Sequence, residues 1–460
     1  MPGLTVPHAE ASVDCDPASA PTNPARQRYY GLGVLIFVLS LASFIQAASQ
    51  RSDLNASPVN GGDEDDYERL GYNLAAGLGF GYCPSDAPIL AGQSEPSSGA
   101  NCEAGCESSE FTPTAYRPPG FPFLIAAVYS FSPLNYFVIR LINCIFCALA
   151  VSVVSATFAR HVSVISGVAV GTLCSLDPRF REFAGTFLTE NMATLTFCLF
   201  AVTWTAFLRR PTLTAACLSG FAFSALVFTR SFFVAWYPVI WLIVAWRSVT
   251  GVTKGAMPFS HRLRTAICFC CASVLLTGPW WIRNCLILDA MMPTGTQGGI
   301  GIADGFSDSA YENYGSWTPT TAYQIADEMR RDPALQSISK IEFEKEHCRR
   351  GAQHASEWMR QHPDLLPRLS WWKLSRLWEC GSMMHGTLFG ICFLGMWFAR
   401  REKITHVLFL LLLLNSITVM ATYHTYERFL TPFRPLIHGM VGYGLQRTAE
   451  VVWRQLRSLR

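Results

Sequence analysis

A run of acids beside a helical pattern is the first place in this sequence where chemistry could occur. It lies in GGDEDDYERLGYNLAAGLGFG, residues 61–81, and comprises Asp63, Glu64, Asp65 and Asp66. Crowded carboxylates gain affinity for a proton or for a divalent cation, so the run suits a general base and leaves open a metal site. The same acids at a helix start are also ordinary capping residues, because they face the free N–H groups and the helix dipole.

A proline-rich segment carries the first candidate cation. In TAYRPPGFPFLIAAVYSF, residues 114–131, the prolines up to Pro122 predict an interruption of regular helix and a re-entrant or interfacial element. Arg117 would then lie at the boundary between lipid and water, with Tyr116 beside it. A guanidinium group there can fork onto a phosphate, or it can snorkel towards water from an apolar surface.

Three further arginines lie near the ends of apolar segments, namely Arg230, Arg283 and Arg428. Burying an ionised group in such a place is costly unless an anion faces it, so each predicts a phosphate contact or a structural pair with a carboxylate. Arg434 is a weaker candidate of the same kind. Glu190 stands early in another apolar segment, and for the same reason it predicts an ion pair with Arg179 or Arg181.

The composition of the chain excludes an ordinary soluble domain. Of the 460 residues, 50% are hydrophobic and only 15% are charged, and the mean hydropathy is +0.23. Most of the chain is therefore expected in lipid. The net charge of +3 is too small to indicate a nucleic-acid partner.

Apolar runs that approach the roughly 20 residues needed to cross a bilayer recur along the chain. About ten of them lie near 30–48, 136–158, 162–177, 187–208, 212–229, 231–246, 264–281, 383–399, 404–422 and 431–447. If these runs alternate across the membrane, Lys and Arg gather on one side, which is expected to be the cytoplasm. The long polar segments 49–120 and 282–381 then lie outside.

The sequence thus predicts an all-α polytopic membrane protein with about ten transmembrane helices and a small extracytoplasmic helical region. Its predicted parts are a disordered cytoplasmic leader (1–25), a transmembrane core (26–281) that includes the acidic first outer loop (49–120), an extracytoplasmic subdomain (282–381), and C-terminal transmembrane helices with a basic cytoplasmic tail (382–460). The glycine-rich run 291–305 lacks the ending of a P-loop and predicts a flexible loop. Residues 339–378 have helical spacing, with aromatic residues expected in a core.

Cysteines in the polar segments are candidates for disulfides. They are Cys83, Cys102 and Cys106 in the first segment, and Cys285, Cys348 and Cys380 within or beside the second. Spacing alone leaves the pairing open.

Four stretches of the chain occur in an order and at a spacing that resemble one known superfamily. They are Asp63 to Gly79, Tyr116 to Pro122, Leu188 to Ala193 and Gly278 to Asn284. Together with the predicted spans, they resemble the GT-C superfamily of membrane glycosyltransferases, in particular the bacterial aminoarabinose-transferase and protein-mannosyltransferase-like families. The likeness covers most of residues 30–445.

This resemblance implies a reaction and a place for it. The family transfers a sugar, with inversion, from a polyprenyl-phosphate donor at the extracytoplasmic face, which implies a multi-pass protein of the bacterial inner membrane that serves the cell envelope. Asp63 matches the position of the family's proposed base, and Glu64 and Asp66 are the next candidates. Tyr116 stands where the aminoarabinose branch usually has a second acid, so neither that branch's substrate nor a metal site is carried over.

A transfer of this kind needs a base for the acceptor hydroxyl, positive charge for the leaving phosphate, and a groove that opens to lipid. Asp63 is expected to take the proton. The residues expected to bind substrate are Tyr116, Arg117, Arg230, Arg283 and Arg428. The acceptor can be a lipid, a glycan or a protein, and a divalent cation stays open as a cofactor.

Two other classes of function fit the same composition. A transporter or flippase of a lipid-linked substrate would place acids and broken helices at the bilayer midplane and would show an internal repeat. A non-catalytic membrane scaffold would tolerate replacement of Asp63 without loss of function. Replacing Asp63 therefore separates the enzyme from the scaffold.

Overall fold

The computed structural model of the protein describes residues 24–51, 53–58, 62–83, 111–250, 257–316, 318–422 and 427–458. Regular structure in this part of the chain is almost entirely helical, as predicted. Residues 1–23 of the predicted leader lie outside the described residues, and the first helix begins at Pro24. Residues 84–110 of the predicted first outer loop are outside them as well.

The helices are numbered in their order along the chain. They are α1 (Pro24–Arg51), α2 (Asp63–Ala75), α3 (Gly120–Phe131), α4 (Tyr136–His161), α5 (Val164–Leu176), α6 (Pro178–Glu182), α7 (Glu190–Arg209), α8 (Leu213–Thr229), α9 (Tyr237–Thr250), α10 (Phe259–Ser273), α11 (Thr277–Leu288), α12 (Gln297–Gly305), α13 (Asp308–Glu312), α14 (Thr320–Arg331), α15 (Lys340–Gln361), α16 (Leu366–Leu377), α17 (Met383–Phe398), α18 (Lys403–Ala421) and α19 (Arg434–Ser458). Short 3-10 helices occupy Ser231–Trp236 (η1), Pro333–Leu335 (η2) and Glu427–Phe433 (η3). Two short strands, β1 (Gly81–Tyr82) and β2 (Thr112–Pro113), pair antiparallel with Gly81 opposite Pro113.

Several of these helices can cross a membrane. Within the described ranges, five helical segments are long and apolar enough, namely Tyr29–Arg51, Tyr136–His161, Glu190–Arg209, Ser231–Thr250 and Lys403–Ala421. The bent pair α10 and α11, which meet at 48°, makes a sixth if it forms one span. The apolar helices α3, α5, α8 and α17 have 12 to 17 residues. At about 1.5 Å per residue these are shorter than a hydrocarbon core of roughly 30 Å, so the number of ten spans stays a prediction.

The apolar helices pack around an aromatic core. Helix α4 contacts α1, α5 and α7, α8 lies between α7 and α10, and α19 contacts α5 and α17. Trp204, Trp236 and Phe197 are fully buried in this core. Gly395 of α17 faces the carbonyl oxygen of Met440 in α19 with no room for a Cβ, so these two helices approach closely.

The polar chain between α11 and α17 forms a helical region of its own. Helices α15 and α16 confirm the helical spacing predicted for residues 339–378. Their apolar faces enclose a small core that contains Phe306, Trp358 and Leu369. Trp358 is therefore a core residue, as predicted.

Two expectations about local structure are wrong in whole or in part. The run 291–305, expected to be a flexible loop, is helical from Gln297 because Gly299 lets α12 lie directly against α15. The prolines up to Pro122 were expected to interrupt regular helix; residues 114–119 are not helical, but α3 already begins at Gly120 and includes Pro122. Pro122 lies in the first turn of α3, where its missing N–H costs no helical hydrogen bond.

The cysteines divide between bonded and free. Cys83, which follows β1, is disulfide-bonded, and it is one of the cysteines expected to pair. Cys102 and Cys106 lie outside the described residues. Cys285, Cys348 and Cys380 are free thiols, so the structure does not form the disulfides considered for the second polar segment.

Candidate functional site

A cavity of about 490 Å³ opens where the polar helices meet the ends of the apolar ones. Its walls come from the first turn of α2, residues 116–118, the start of α7, η1 and η3, and from α12, α14 and α15. Glu190–Arg209 and Ser231–Thr250, both able to cross a membrane, begin at this cavity. The predicted site residues that line it are Asp63, Glu64, Asp66, Tyr116, Arg117, Arg230 and Arg428.

Helix α2 presents three of the predicted acids to the cavity, namely Asp63, Glu64 and Asp66. It follows Gly62, whose backbone is extended and which has no capping side chain, so the acids of the first turn answer the free N–H groups. Asp63 and Asp66 are three residues apart and share one face of the helix. Asp65 turns away and pairs with Arg69 at 3.0 Å on the same helix.

Arg117 joins the two cavity-facing aspartates. Its Nη2 lies 2.8 Å from Asp63 Oδ1 and 2.6 Å from Asp66 Oδ2, and its Nε donates to the same Asp66 oxygen at 2.9 Å. The guanidinium lies against the rings of Tyr67 and Tyr116, 5.4 and 4.7 Å from their centroids. Arg117 is only 7% exposed, so it is a buried and well-held cation and not a snorkelling surface charge.

A second carboxylate centre extends this network into the apolar helices. Glu190, the first residue of α7, is 1% exposed and lies 3.1 Å from Arg230 and 3.6 Å from Arg428. Arg428 also donates to Asp63 at 3.0 Å. The pairs therefore form a chain that runs from Arg117 through Asp63 and Arg428 to Glu190 and Arg230.

The partner expected for Glu190 was wrong. Arg179 instead pairs with Glu182 at 3.8 Å on the short helix α6, where both side chains are 42% exposed. Glu190 points the other way, towards the residues that follow α8 and α18. Spacing in the sequence could not distinguish these directions, because Arg230 and Arg428 are distant from Glu190 along the chain.

The surroundings of Asp63 determine its charge. Burial alone would raise the pKa of this carboxyl, but the guanidinium groups of Arg117 and Arg428 outweigh burial and hold the pKa below its usual range. Asp63 is therefore ionised at neutral pH and is a weak proton acceptor. The assignment of Asp63 as the base stays a prediction, whereas its contact with both arginines is a feature of the structure.

Arg283 does not reach the cavity. Its guanidinium donates to the carbonyl oxygens of Thr114 at 2.7 Å and Phe80 at 3.0 Å, and it lies 4.5 Å from the centre of the Trp280 ring. These contacts tie α11 to the chain that flanks β1 and β2. Arg283 is therefore not placed to bind phosphate together with the other arginines, because its side chain does not line the cavity. Arg434 is also elsewhere, paired with Asp177 at 2.6 Å.

Asp304 and His347 are among the cavity residues that sequence reasoning missed. Asp304, near the end of α12, is 4% exposed, and its Oδ1 accepts from the backbone N–H of Ala322 at 2.9 Å. Burial raises the pKa of Asp304 to about 7. His347 of α15 has its Nε2 2.9 Å from the carbonyl oxygen of Ala322, so this nitrogen carries a proton, and burial lowers the pKa of the ring. Apolar residues at 300 and 303 ahead of Asp304 were the available signal, but the glycines obscured it.

A metal site is not evident in the described part of the chain. No three His, Cys, Asp or Glu side chains converge there as a ligand set. Asp63 and Asp66 both turn oxygens to Arg117, which occupies the position that a shared cation would need. A divalent cation stays open as a cofactor, and the described residues do not bring a ligand set together for it.

Comparison with known proteins does not assign the chain to a family. No protein-family model matches the chain, and no curated protein is significantly similar to it. The likeness to GT-C glycosyltransferases therefore depends on the short stretches and their order.

Proposed function

We propose that this protein is an inverting membrane glycosyltransferase that moves a sugar from a polyprenyl-phosphate donor to an acceptor hydroxyl. The observation that carries the proposal is the meeting of Arg117, Arg230 and Arg428 with acids in one cavity at the ends of apolar helices. Guanidinium groups offer forked donors that suit a phosphate. The apolar helices beside the cavity offer a surface along which a prenyl chain can lie in lipid.

The charge change in such a reaction suits an arginine cluster. The donor phosphate is a diester with one negative charge. When the bond between the anomeric carbon and the phosphate oxygen breaks, the departing polyprenyl phosphate gains a second negative charge. Cations that are already held in place stabilise this developing charge without reorganisation, which lowers the barrier more than it strengthens ground-state binding. The acids paired with the arginines keep them in place before the donor arrives.

The size and composition of the cavity are compatible with this substrate. A volume of about 490 Å³ is within the usual range of small-ligand sites. Tyr116 and Tyr323 add aromatic surface and hydroxyl groups to its walls, and such groups commonly orient a sugar. The acceptor stays open among a lipid, a glycan and a protein.

We assign the reaction to the extracytoplasmic face of the bacterial inner membrane. The Lys and Arg distribution of the chain favours this side for both long polar segments. The disulfide-bonded state of Cys83 supports the same side, because disulfides persist in oxidising compartments.

Transfer from a panel of radiolabelled polyprenyl-phosphate sugars tests the proposal directly. Membranes that contain the wild type are expected to release sugar from at least one donor. Arg428→Lys should lower that rate by at least tenfold, because Arg428 contacts Asp63 and Glu190 through Nη1 and the ammonium of a lysine has no second nitrogen to fork onto a phosphate. Arg434→Lys is the matched control, since Arg434 is a buried ion-paired arginine of the same part of the chain outside the cavity. It should keep near wild-type transfer at equal expression.

One result would overturn the proposal, and another would overturn its assignment to the cavity. Absence of transfer from every donor by well-folded wild type would remove the enzyme and leave the transporter, which a lipid-flipping assay in vesicles would then examine. Equal loss of transfer in both lysine variants would show that the arginine effect is general and does not come from the cavity.

A further inference from the structure

The carboxylates that line the cavity differ in their interaction partners. In the described part of the chain, Asp63, Asp66 and Glu190 each lie within ion-pair distance of an arginine. Glu64 has the guanidinium of Arg140 in its electrostatic surroundings. The guanidinium groups of Arg117 and Arg428 hold the pKa of Asp63 below its usual range, so Asp63 is a weak proton acceptor. Burial raises the pKa of Asp66, but its Oδ2 accepts from Arg117 and its Oδ1 accepts from the hydroxyl of Tyr82 at 3.4 Å, so donors already occupy both oxygens. Asp63 and Asp66 therefore suit the organisation of cations better than proton transfer.

Within the described ranges, Asp304 interacts with backbone N–H groups and not with an arginine. Its carboxylate accepts hydrogen bonds from the backbone N–H groups of Thr321 and Ala322, in the first turn of α14, and no guanidinium among the described residues is paired with it. The side chain lines the cavity from the wall formed by α12, while Asp63 lines it from α2. Tyr116 lines the same cavity, and both carboxylates raise the pKa of its hydroxyl.

The other titratable groups around Asp304 are poor proton acceptors. They are Tyr116 from the segment after β2, Tyr323 from α14 and His347 from α15. Burial raises the pKa of both tyrosines and lowers the pKa of the histidine, so none of them takes up a proton readily near neutrality. A buried carboxyl whose pKa is about 7 is matched to such a role, because it is partly deprotonated at neutral pH and still binds a proton well.

We propose that Asp304 is the catalytic residue that accepts the proton of the attacking hydroxyl, and that Asp63 is a positioning residue for Arg117 and Arg428. This inference rests on the proposed glycosyl transfer. In the step, the acceptor O–H bond breaks and its proton goes to an oxygen of Asp304 while the acceptor oxygen bonds to the anomeric carbon. The bond from that carbon to the phosphate oxygen breaks, and its electron pair leaves with the phosphate. Water later removes the proton from Asp304.

A purely structural role for Asp304 makes a different prediction. The carboxylate could serve only to cap α14, and an asparagine at this position would still accept the hydrogen bond from Ala322. Asp304→Asn therefore keeps the cap and the side-chain volume while it removes the proton acceptor. Asp308→Asn is a matched control four residues along the chain, because Asp308 accepts from Trp358 Nε1 at 2.8 Å outside the cavity.

The experiment is a pH profile of transfer by the full-length protein in nanodiscs, with the donor that the wild type uses. Wild-type kcat/KM should fall about tenfold per pH unit below about pH 7, because only deprotonated Asp304 accepts the proton. Asp304→Asn should lose about a hundredfold or more in kcat, keep the donor KM within threefold, and lose this acid limb. Asp304→Glu should retain part of the rate, and Asp308→Asn should match the wild type.

The variant of the other candidate acid completes the test. Asp63→Asn should raise the donor KM while its residual activity keeps the acid limb near pH 7. The inference is overturned if Asp304→Asn keeps more than a third of wild-type kcat, or if the acid limb disappears in Asp63→Asn instead. Either result leaves glycosyl transfer intact, whereas absence of transfer by the wild type would remove the proposed function and this inference together. Donor binding by Asp304→Asn, followed as quenching of tryptophan fluorescence, confirms that a low rate does not reflect unfolding.

Discussion

Arg117 illustrates how burial changes the energetic contribution of an ion pair. It contacts Asp63 and Asp66 at 2.8 and 2.6 Å and is almost completely enclosed. Arg349 makes an equally short contact of 2.6 Å with Glu346, but its side chain is 61% exposed. A buried charge that loses its partner is left without solvation, whereas an exposed one is recovered by water. The same contact distance therefore predicts very different energies.

The stability of two alanine variants tests this difference. Arg117→Ala leaves two buried carboxylates without their shared cation and should lower the free energy of unfolding by about 3–5 kcal/mol. Arg349→Ala should change it by less than about 1 kcal/mol. Chemical unfolding of the purified protein in detergent micelles, followed by tryptophan fluorescence, measures both. Similar losses in the two variants would contradict a buried network around Arg117.

At the level of single residues, the sequence predicted the kind of partner that a buried charge needs better than it predicted which residue is the partner. An arginine at the end of an apolar segment was expected to need an anion, and Arg117, Arg230 and Arg428 each have one in the cavity. Arg283 met the same condition with backbone carbonyl groups instead. Such alternatives differ in which face of a helix is turned inward, and that choice depends on packing between segments that are far apart in the sequence.

Among the elements, α12 shows why a glycine-rich run can be misread. Glycine favours loops in isolation, but in α12 it permits contact between backbones. Gly299 faces the carbonyl oxygen and sulfur of Cys348 in α15, and Gly351 of α15 faces the carbonyl oxygen of Gly299. The tertiary contact therefore compensates for the low helix propensity of the run, which local sequence rules do not include. This packing also fixes Asp304 in the cavity wall.

Neighbouring glycines of α12 offer a sharp test of this packing. A Cβ at position 299 would collide with Cys348, so Gly299→Ala should force α12 away from α15 and cost about 1–3 kcal/mol of stability. A Cβ at position 298 would meet no atom within 4 Å, so Gly298→Ala should be neutral or slightly stabilising. Thermal unfolding of the two variants in detergent gives the comparison, and transfer activity should fall only in Gly299→Ala. Equal midpoints would show that α12 does not need this contact.

For the molecule as a whole, hydropathy predicted a nearly all-helical chain with apolar helices that could cross a membrane, whereas the predicted ten spans exceed the five or six that are long enough among the described residues. Runs 162–177 and 212–229 correspond to α5 and α8, which have 13 and 17 residues. Short helices can complete a bundle when longer neighbours shield their ends, and α8 packs against α7 and α10. The orientation of the helices in the membrane then depends on the charges that flank them, and the proposed reaction requires the cavity to face the extracytoplasmic side.

Cysteine labelling tests that orientation with a residue the protein already has. Cys380 is a free, exposed thiol between α16 and α17, in the segment expected outside. A membrane-impermeant maleimide applied to intact spheroplasts should label the wild type more strongly than Cys380→Ser. Labelling of Cys380→Ser measures the background from other thiols, such as the exposed Cys217 and Cys271 in apolar helices. A Ser458→Cys change in the basic tail, made in the Cys380→Ser background, should be labelled only after permeabilisation. The opposite pattern would place the cavity on the cytoplasmic side, where cytosolic thiols oppose the Cys83 disulfide and a donor at the outer face could not reach the arginines.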